Sequence, residues 1–213
     1  MHIRNGDSIL FIGDSITDAG RREDADGLGW GYVRLFRDLL WARHPGLEVT
    51  IENRGVSGDT VRHLALRWRE DVIMSRPDWL VVSIGVNDVW RQLQQPTNSE
   101  AVELREFEAV YRRLLAEARE RTQCRMALCE PTIIGEEHGT PHNELLTPYV
   151  EAVANIARDF DAVLVPMNAA FWRVLDANPA HTLTSDGVHP YSQGFMIMAL
   201  TLYDALCSGK GGV

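Results

Sequence analysis

Two hydrophobic periodicities alternate along this chain. Short runs of apolar and β-branched residues are separated by longer segments in which apolar residues recur every three or four positions. A short run of this kind predicts a buried strand, whereas the longer repeat predicts an amphipathic helix. The predicted strands are residues 8–12, 49–52, 79–84, 125–129 and 162–165. The predicted helices are residues 30–43, 60–75, 99–121, 143–160 and 191–206.

This alternation predicts an α/β fold in which helices cover both faces of a parallel sheet. The third strand is apolar almost throughout, as expected for a strand buried on both faces. Gly and Pro are scattered rather than clustered into a linker, so residues 1–213 are expected to form a single domain. Residues 131–148 form the one long irregular segment of the prediction. They are expected to be a pocket wall or lid, or a plain surface loop.

Composition and charge indicate which classes of partner and which cellular compartment to expect. The net charge of −9 argues against nucleic acid and against anionic membranes as partners. Cys124, Cys129 and Cys207 are odd in number and lack framework spacing, which indicates reduced thiols in a cytoplasmic protein. The amino terminus lacks the apolar core of a signal peptide, and no apolar run is long enough to span a bilayer. We therefore expect a soluble cytoplasmic protein.

A serine, an aspartate and a histidine lie where they could act together in nucleophilic catalysis. Ser15 follows the first predicted strand directly after Gly13 and Asp14, where open α/β sheets place their ligand sites. Asp186 and His189 lie three apart in a turn-rich segment before the last helix, so one loop can present both. A serine nucleophile needs an adjacent base, and that base needs an orienting group. Taken alone, each segment is also typical of a turn, a helix cap or half a metal site.

Two further segments fall at strand ends. Gly58 follows the second strand, and glycine lets the backbone approach a ligand closely. Asn87 follows the third strand, and its amide could donate to a developing oxyanion. Each is common in ordinary turns. In a 2-1-3-4-5 strand order, however, these segments and Ser15 meet at one sheet edge, and their joint occurrence indicates an active site.

The blocks Gly13-Asp14-Ser15, Gly58, Gly85-x-Asn87-Asp88 and Asp186-x-x-His189 together resemble the SGNH/GDSL hydrolase superfamily. The resemblance implies a flavodoxin-like three-layer α/β/α domain and a serine esterase that uses neither a cofactor nor a metal. Ser15 would be the nucleophile, His189 the general base and Asp186 its orienting group. The backbone N–H groups of Ser15 and Gly58 and the side-chain amide of Asn87 would form the oxyanion hole.

A narrower resemblance covers the first ninety or so residues most densely. It is carried by Ile12-Gly-Asp-Ser-Ile-Thr-Asp18, Asn53-Arg-Gly-Val-Ser-Gly58 and Ile84-Gly-Val-Asn-Asp-Val-Trp-Arg-Gln92. These segments are similar to those of intracellular acetylxylan esterases. The resemblance implies removal of O-acetyl groups from xylo-oligosaccharides or related sugars, and a homo-oligomer.

Substrate contacts are predicted from residues beside these motifs. The predicted substrate-binding residues are Asp14, Trp90 and Arg91, because an indole face stacks well on a sugar ring and all three adjoin the site. The carboxylates of Asp14 and Asp88 are also expected to bond their own loops. The remaining tryptophans fall in helical or strand patterns and are predicted to serve packing; they are Trp30, Trp41, Trp68, Trp79 and Trp172.

Other functions remain open at the level of sequence. Within the superfamily, the alternatives are a lysophospholipase or thioesterase and an arylesterase, although no basic amphipathic segment suggests a lipid surface. A metal-dependent phosphohydrolase would use Asp14, Asp88, Asp186 and His189 as ligands. The first strand ends in Asp-Ser rather than a carboxylate pair, which argues against that alternative. A non-catalytic flavodoxin-like binding module is the remaining possibility.

Overall fold

The computed structural model describes residues 1–94 and 101–207 of the chain. Within these ranges, five parallel strands form one sheet in the order β2-β1-β3-β4-β5. The strands are β1 (Ser8–Gly13), β2 (Thr50–Gly55), β3 (Trp79–Ser83), β4 (Arg125–Cys129) and β5 (Val163–Val165). The predicted fold class and strand order are confirmed.

Helices cover the sheet in two groups. Their bounds are α1 (Ser15–Asp18), α2 (Tyr32–Arg43), α3 (Val61–Trp68), α4 (Val86–Gln94), α5 (Leu104–Thr122), α6 (Pro141–Asp159), α7 (Met167–Ala177) and α8 (Ser192–Cys207). A π-helical turn at Arg69–Ile73 continues α3. Helices α2 and α7 pack against α8, whereas α3 and α6 pack against α5 and α4 packs against α6. The core between these layers includes all of β3, which explains why that strand is apolar on both faces.

The register of the sheet aligns the strand ends that carry the motifs. Gly13 at the end of β1 pairs with Gly55 of β2 on one side and Ser83 of β3 on the other. A Cβ atom on Gly13 would come within 2.3 Å of the Ser83 carbonyl oxygen, so no larger residue fits where β1 turns into α1. The segments that follow these three strands therefore meet at one edge of the sheet.

Several helical boundaries differ from the predicted ones. Helices α1, α4 and α7 were not predicted, and α6 begins at Pro141, inside the segment predicted to be irregular. The side chain of Thr140 accepts from the N–H of Asn143 and caps α6, while Pro141 occupies its first turn. The irregular segment is thus shorter than predicted. The first two residues of the predicted helix 99–121, Ser99 and Glu100, lie outside the described residues.

Two of the tryptophans are not packed as predicted. Trp68 and Trp79 are buried, but the side chains of Trp30 and Trp41 are 60% and 55% exposed. Apolar periodicity placed Trp41 on α2, yet the helix turns it outward, where the guanidinium of Arg37 lies 4.4 Å from the ring centroid. The packing assignment of Trp30 and Trp41 was therefore wrong.

In the part of the chain that the structure covers, no helix combines the length and hydrophobicity needed to cross a bilayer.

Candidate active site

The turn from β1 into α1 presents Ser15. Asp14 is the N-cap of α1, and its carboxylate accepts the N–H of Ile16 at 3.0 Å. Ser15 itself is half-buried, with its hydroxyl directed at the loop that precedes α8. The short turn thus fixes the serine at the carboxyl edge of the sheet.

A hydrogen-bonded chain joins Ser15 to residues at the far end of the sequence. The Ser15 Oγ atom lies 2.8 Å from Nε2 of His189, and the His189 Nδ1 atom lies 2.7 Å from Oδ2 of Asp186. An ionised carboxylate can only accept, so Nδ1 carries a hydrogen and its N–H donates a hydrogen bond to Asp186. When the ring is neutral, its Nε2 atom accepts a hydrogen bond from the Ser15 hydroxyl. This is the arrangement of a serine nucleophile, a base and an orienting carboxylate.

The Asp186 carboxylate is held in its ionised form. Partial burial opposes ionisation, but the backbone N–H groups of His189 and Val188 donate to it at 2.8 and 3.0 Å, in addition to the imidazole. These hydrogen bonds outweigh the desolvation, so the pKa of Asp186 lies below its ordinary value.

The loop that carries Asp186 and His189 is closed by several contacts. A β-bridge joins Thr184 to Pro190, and the N–H of Gly135 donates to the Gly187 carbonyl at 2.7 Å. Glu136 was not singled out from the sequence. Its Oε1 atom accepts the N–H groups of Leu183 and Thr184 at 2.8 and 2.6 Å. It also accepts the Thr184 hydroxyl at 2.6 Å. Glu136 therefore anchors this loop, which we call the triad loop (residues 183–190), to the segment after β4.

Asn87 and Gly58 come from the two strand ends that flank Ser15. Asn87 lies in the first turn of α4, and its Nδ2 atom donates to the Asp59 carbonyl at 2.9 Å. A side-chain amide has two hydrogens, so this bond leaves one for an oxyanion. Gly58 has φ +86°, a conformation that favours glycine. The predicted oxyanion-hole residues thus lie on the elements next to Ser15.

A shallow cavity of about 250 Å³ adjoins the triad loop. Asp186 and Gly187 line it on one side, and Trp90 and His142 also face it. Ile134, Gly135 and Thr140 complete the lining. Trp90, predicted to contact substrate, is therefore beside the candidate site, and the segment after β4 forms a wall of the cavity.

The other two predicted substrate contacts are placed differently. Asp14 is only 2% exposed, and its carboxylate caps α1 instead of lying open to a ligand. The Arg91 guanidinium, which is half-buried, donates from Nη2 to the Gly58 carbonyl at 2.6 Å. The structure therefore corrects the prediction for Asp14, and it shows that the Arg91 side chain contacts the segment that contains Gly58.

Two buried carboxyl groups lie beneath the site. Desolvation raises the pKa of Asp14 and of Asp88 to about 7 in each case, against the N–H donors that favour their ionised forms. Asp88 is fully buried, and its Oδ1 atom accepts the N–H of Val61 at 3.0 Å. Among the residues described, no group of three or more His, Cys, Asp or Glu side chains is arranged to hold a metal ion.

Comparisons with known proteins show which family this chain resembles along most of its length. Residues 11–197 match the GDSL-like lipase/acylhydrolase family. The chain is 41% identical over 205 residues to an acetylxylan esterase of Geobacillus stearothermophilus. The aligned region covers 93% of each protein.

Solved structures agree at the level of the fold. A crystal structure of an acetylxylan esterase from the same organism superposes with a TM-score of 0.91 at 39% identity over 97% of each chain. Matching structures of that esterase include catalytic mutants in which a serine, an aspartate or a histidine is replaced by alanine. An alpha/beta hydrolase enzyme from the metagenome of Lake Arreo, Spain, superposes with a TM-score of 0.90 at 33% identity, again over 97% of each chain. With this fold and this extent of similarity, the chain belongs to the GDSL-like lipase/acylhydrolase family and is a carboxylic ester hydrolase.

Proposed function

We propose that the protein is a serine esterase that removes acetyl groups from xylo-oligosaccharides or related sugars. The observation that carries the proposal is the chain of hydrogen bonds from Ser15 Oγ through the His189 imidazole to Asp186, with lengths of 2.8 and 2.7 Å. Such a chain activates a hydroxyl that is otherwise a weak nucleophile at neutral pH.

In the proposed first step, Ser15 Oγ attacks the acetyl carbonyl carbon while its proton moves to Nε2 of His189. The carbonyl electron pair moves onto oxygen, and the oxyanion accepts hydrogen bonds from the N–H groups of Ser15 and Gly58 and from the Asn87 amide. Re-formation of the carbonyl breaks the bond to the sugar oxygen, which takes the proton from His189. An acetyl ester of Ser15 remains.

In the second step, water attacks the acetyl-enzyme and His189 accepts its proton. Collapse of the second tetrahedral intermediate releases acetate, and the proton returns to Ser15. The Asp186 carboxylate stabilises the imidazolium that forms in each step, because it is held ionised by its own hydrogen bonds.

The sugar part of the proposal rests on similarity and on the cavity. The relative from Geobacillus stearothermophilus bears the name acetylxylan esterase. The cavity beside Asp186 is lined by Trp90, whose indole can stack on a sugar ring, and by the polar side chains of His142 and Thr140.

The direct test compares the wild-type protein with Ser15→Ala on p-nitrophenyl acetate and on acetylated xylo-oligosaccharides. We expect the variant to lose at least about 10³-fold in kcat while keeping the thermal unfolding profile of the wild type. EDTA should leave the wild-type rate unchanged. Near-normal turnover by Ser15→Ala would contradict the nucleophile assignment, and dependence on Mg²⁺ or Mn²⁺ would favour the phosphohydrolase alternative. A lysophospholipid or thioester as the better substrate would overturn only the sugar assignment.

The cellular location and the assembly are proposed on separate grounds. Cys124, Cys129 and Cys207 are buried and unbridged, as expected in the reducing cytoplasm. Large exposed side chains, including Trp30, Trp41 and Leu66, suit a protein that buries them between subunits of a homo-oligomer. Analytical ultracentrifugation should detect a species larger than the monomer, and a monomer at micromolar concentration would contradict this proposal.

A further inference from the structure

Side chains of α4 bind three backbone groups of the segment that contains Gly58. Arg91 Nη2 donates to the Gly58 carbonyl at 2.6 Å, Asn87 Nδ2 donates to the Asp59 carbonyl at 2.9 Å, and Asp88 Oδ1 accepts the Val61 N–H at 3.0 Å. These three contacts join residues 27 to 33 positions apart in sequence. The helix that supplies Asn87 thus holds the loop that supplies Gly58.

The spacing of these side chains follows from the helix. Residues four apart lie one turn apart on the same face, so Asn87 and Arg91 both reach the loop from α4. Arg91 contributes a charged donor, and a hydrogen bond with one charged partner is stronger than a neutral one. Its side chain is half-buried, which limits competition from water.

Gly58 needs such a restraint because it has no side chain of its own. Its backbone is left-handed, with φ +86°, and glycine loses more conformational freedom than any other residue when it is fixed. A Cβ atom at this position would lie 3.3 Å from Nη2 of Arg91, so the guanidinium lies close against the glycine. The contact with the carbonyl therefore restrains the dihedral angles that aim the Gly58 N–H.

We infer that Arg91 is a positioning residue that fixes Gly58 in the oxyanion hole by holding its carbonyl oxygen. This inference rests on the proposed serine-esterase mechanism. It replaces the expectation from sequence that Arg91 binds the sugar. Because an oxyanion forms only after attack, a misplaced donor weakens binding of the transition state and leaves binding of the ester almost unchanged.

The test measures kcat and KM separately for Arg91→Met and Arg91→Lys with p-nitrophenyl acetate. Met keeps an unbranched apolar stem but donates no hydrogen bond, whereas Lys retains a charged donor. We expect Arg91→Met to lose about 10–100-fold in kcat with KM within about twofold of the wild type. Arg91→Lys should recover part of that loss. Arg112→Met is the matched control, because Arg112 pairs with Asp159 on the surface and should show no change.

A second readout separates positioning from a structural role. The rate of covalent labelling by a p-nitrophenyl phosphonate should fall in parallel with kcat, because the phosphoryl oxygen occupies the oxyanion hole. In this reaction Ser15 Oγ bonds to phosphorus, nitrophenolate leaves, and the serine proton passes to His189. Thermal unfolding shows whether Arg91→Met remains folded; if it does not, Arg91→Lys carries the test with the same expected split.

The outcomes distinguish this inference from the proposed function. A rise in KM with unchanged kcat would mean that Arg91 binds substrate, and unchanged kinetics would also overturn the inference. A wild-type protein whose ester hydrolysis survives Ser15→Ala would instead overturn the proposed mechanism. Parallel loss of kcat and labelling in folded Arg91→Met, with active wild-type protein and inactive Ser15→Ala, would support both.

Discussion

Asn87 has two tasks at the scale of a single residue. In the proposed mechanism its amide donates to the oxyanion, and the same Nδ2 atom donates to the Asp59 carbonyl at 2.9 Å. An acidic or apolar replacement therefore removes an oxyanion donor and loosens the neighbouring loop together. A planar amide suits both purposes, because one of its two hydrogens can bind the backbone while the other binds the reacting oxygen.

The first prediction concerns this residue. Asn87→Ala should lose about 10²–10³-fold in kcat with little change in KM, because the donor acts mainly on the transition state. Steady-state kinetics with p-nitrophenyl acetate measure both constants. Asn155→Ala is a suitable control, since Asn155 lies on α6 away from the loop that contains Gly58. A change confined to KM would indicate that Asn87 binds the ester in its ground state.

The second prediction concerns the buried carboxyl of Asp88 and the pH dependence of stability. Burial raises its pKa in the folded protein from 3.8 to about 7, so between these values the folded state keeps a proton that the unfolded state has lost. Stability therefore falls as pH rises through this window, and the loss is complete above pH 7. Asp88→Asn can still accept the Val61 N–H but carries no charge.

We therefore expect the free energy of unfolding of Asp88→Asn, relative to the wild type, to increase from about pH 5 to about pH 8. Urea denaturation at both pH values gives this difference. Asp159→Asn, which alters an exposed carboxylate, should show no comparable trend. A difference between Asp88→Asn and the wild type that does not change with pH would contradict the assigned cause.

At the scale of elements, the triad loop depends on a residue outside it. Glu136 gathers three donors on one carboxylate oxygen, two of them backbone N–H groups at the start of the loop. Without this acceptor the donors must turn elsewhere, and the loop that aims His189 at Ser15 loses its fixed end. The segment after β4 thus supports the triad loop and also forms a wall of the cavity.

The third prediction follows from that support. Glu136→Ala should lower kcat by about tenfold or more through misplacement of His189, whereas Glu136→Gln should retain most activity because its amide oxygen can still accept. Glu137→Ala is the matched control, because Glu137 is the adjacent, exposed carboxylate. The test compares kcat of these variants and the wild type with p-nitrophenyl acetate. Equal activity of the Ala and Gln variants would show that the carboxylate does not position the loop.

Local sequence signals predicted the sheet better than the short helices. Strands β1, β3 and β4 were found because buried parallel strands are largely apolar runs, and 125–129 matches β4 at both ends. Helix α4 was missed because its polar residues, Asn87 and Asp88 among them, follow a glycine and imitate a turn. Helix α7 carries apolar residues at helical spacing, at Met167, Ala170 and Phe171, so its signal was present and could have been used.

In the candidate site, likewise, some residues could be predicted from the sequence pattern and others depend on tertiary contacts. Ser15, Asp186 and His189 could be paired from residue type and position, because parallel strands bring their carboxyl ends to one edge. The contacts of Arg91 and Glu136 could not be predicted. They depend on which backbone groups a loop leaves unpaired, and no local spacing records this. The hydrogen bond of Asp14 within its own loop was expected, but its burial was not, since a buried capping carboxylate and an exposed one look alike in sequence.

At the scale of the whole molecule, the sheet order sets the shape of the binding region. The strand ends that carry Ser15, Gly58 and Asn87 adjoin one another, and the cavity of about 250 Å³ opens beside Asp186.

The fourth prediction concerns the acyl group. We expect p-nitrophenyl acetate to exceed the butyrate in kcat/KM, with the octanoate barely cleaved. A lipase-type groove would give the opposite trend, gaining about 0.8 kcal/mol for each buried methylene.

The fifth prediction separates the sugar from the acyl group through Trp90. Trp90 lines the cavity next to Asp186, and under the proposed function it contacts the alcohol part of the ester. Trp90→Ala should therefore raise KM for acetylated xylo-oligosaccharides by about tenfold, as expected for loss of one stacking contact. The same variant should change KM for p-nitrophenyl acetate much less, and its kcat should stay near that of the wild type. Trp90→Phe keeps an aromatic face and is the matched variant for stacking. If both substrates lose affinity equally, Trp90 supports the fold of the site and does not select a sugar; the serine-esterase mechanism would stand, and the carbohydrate would have to be recognised elsewhere.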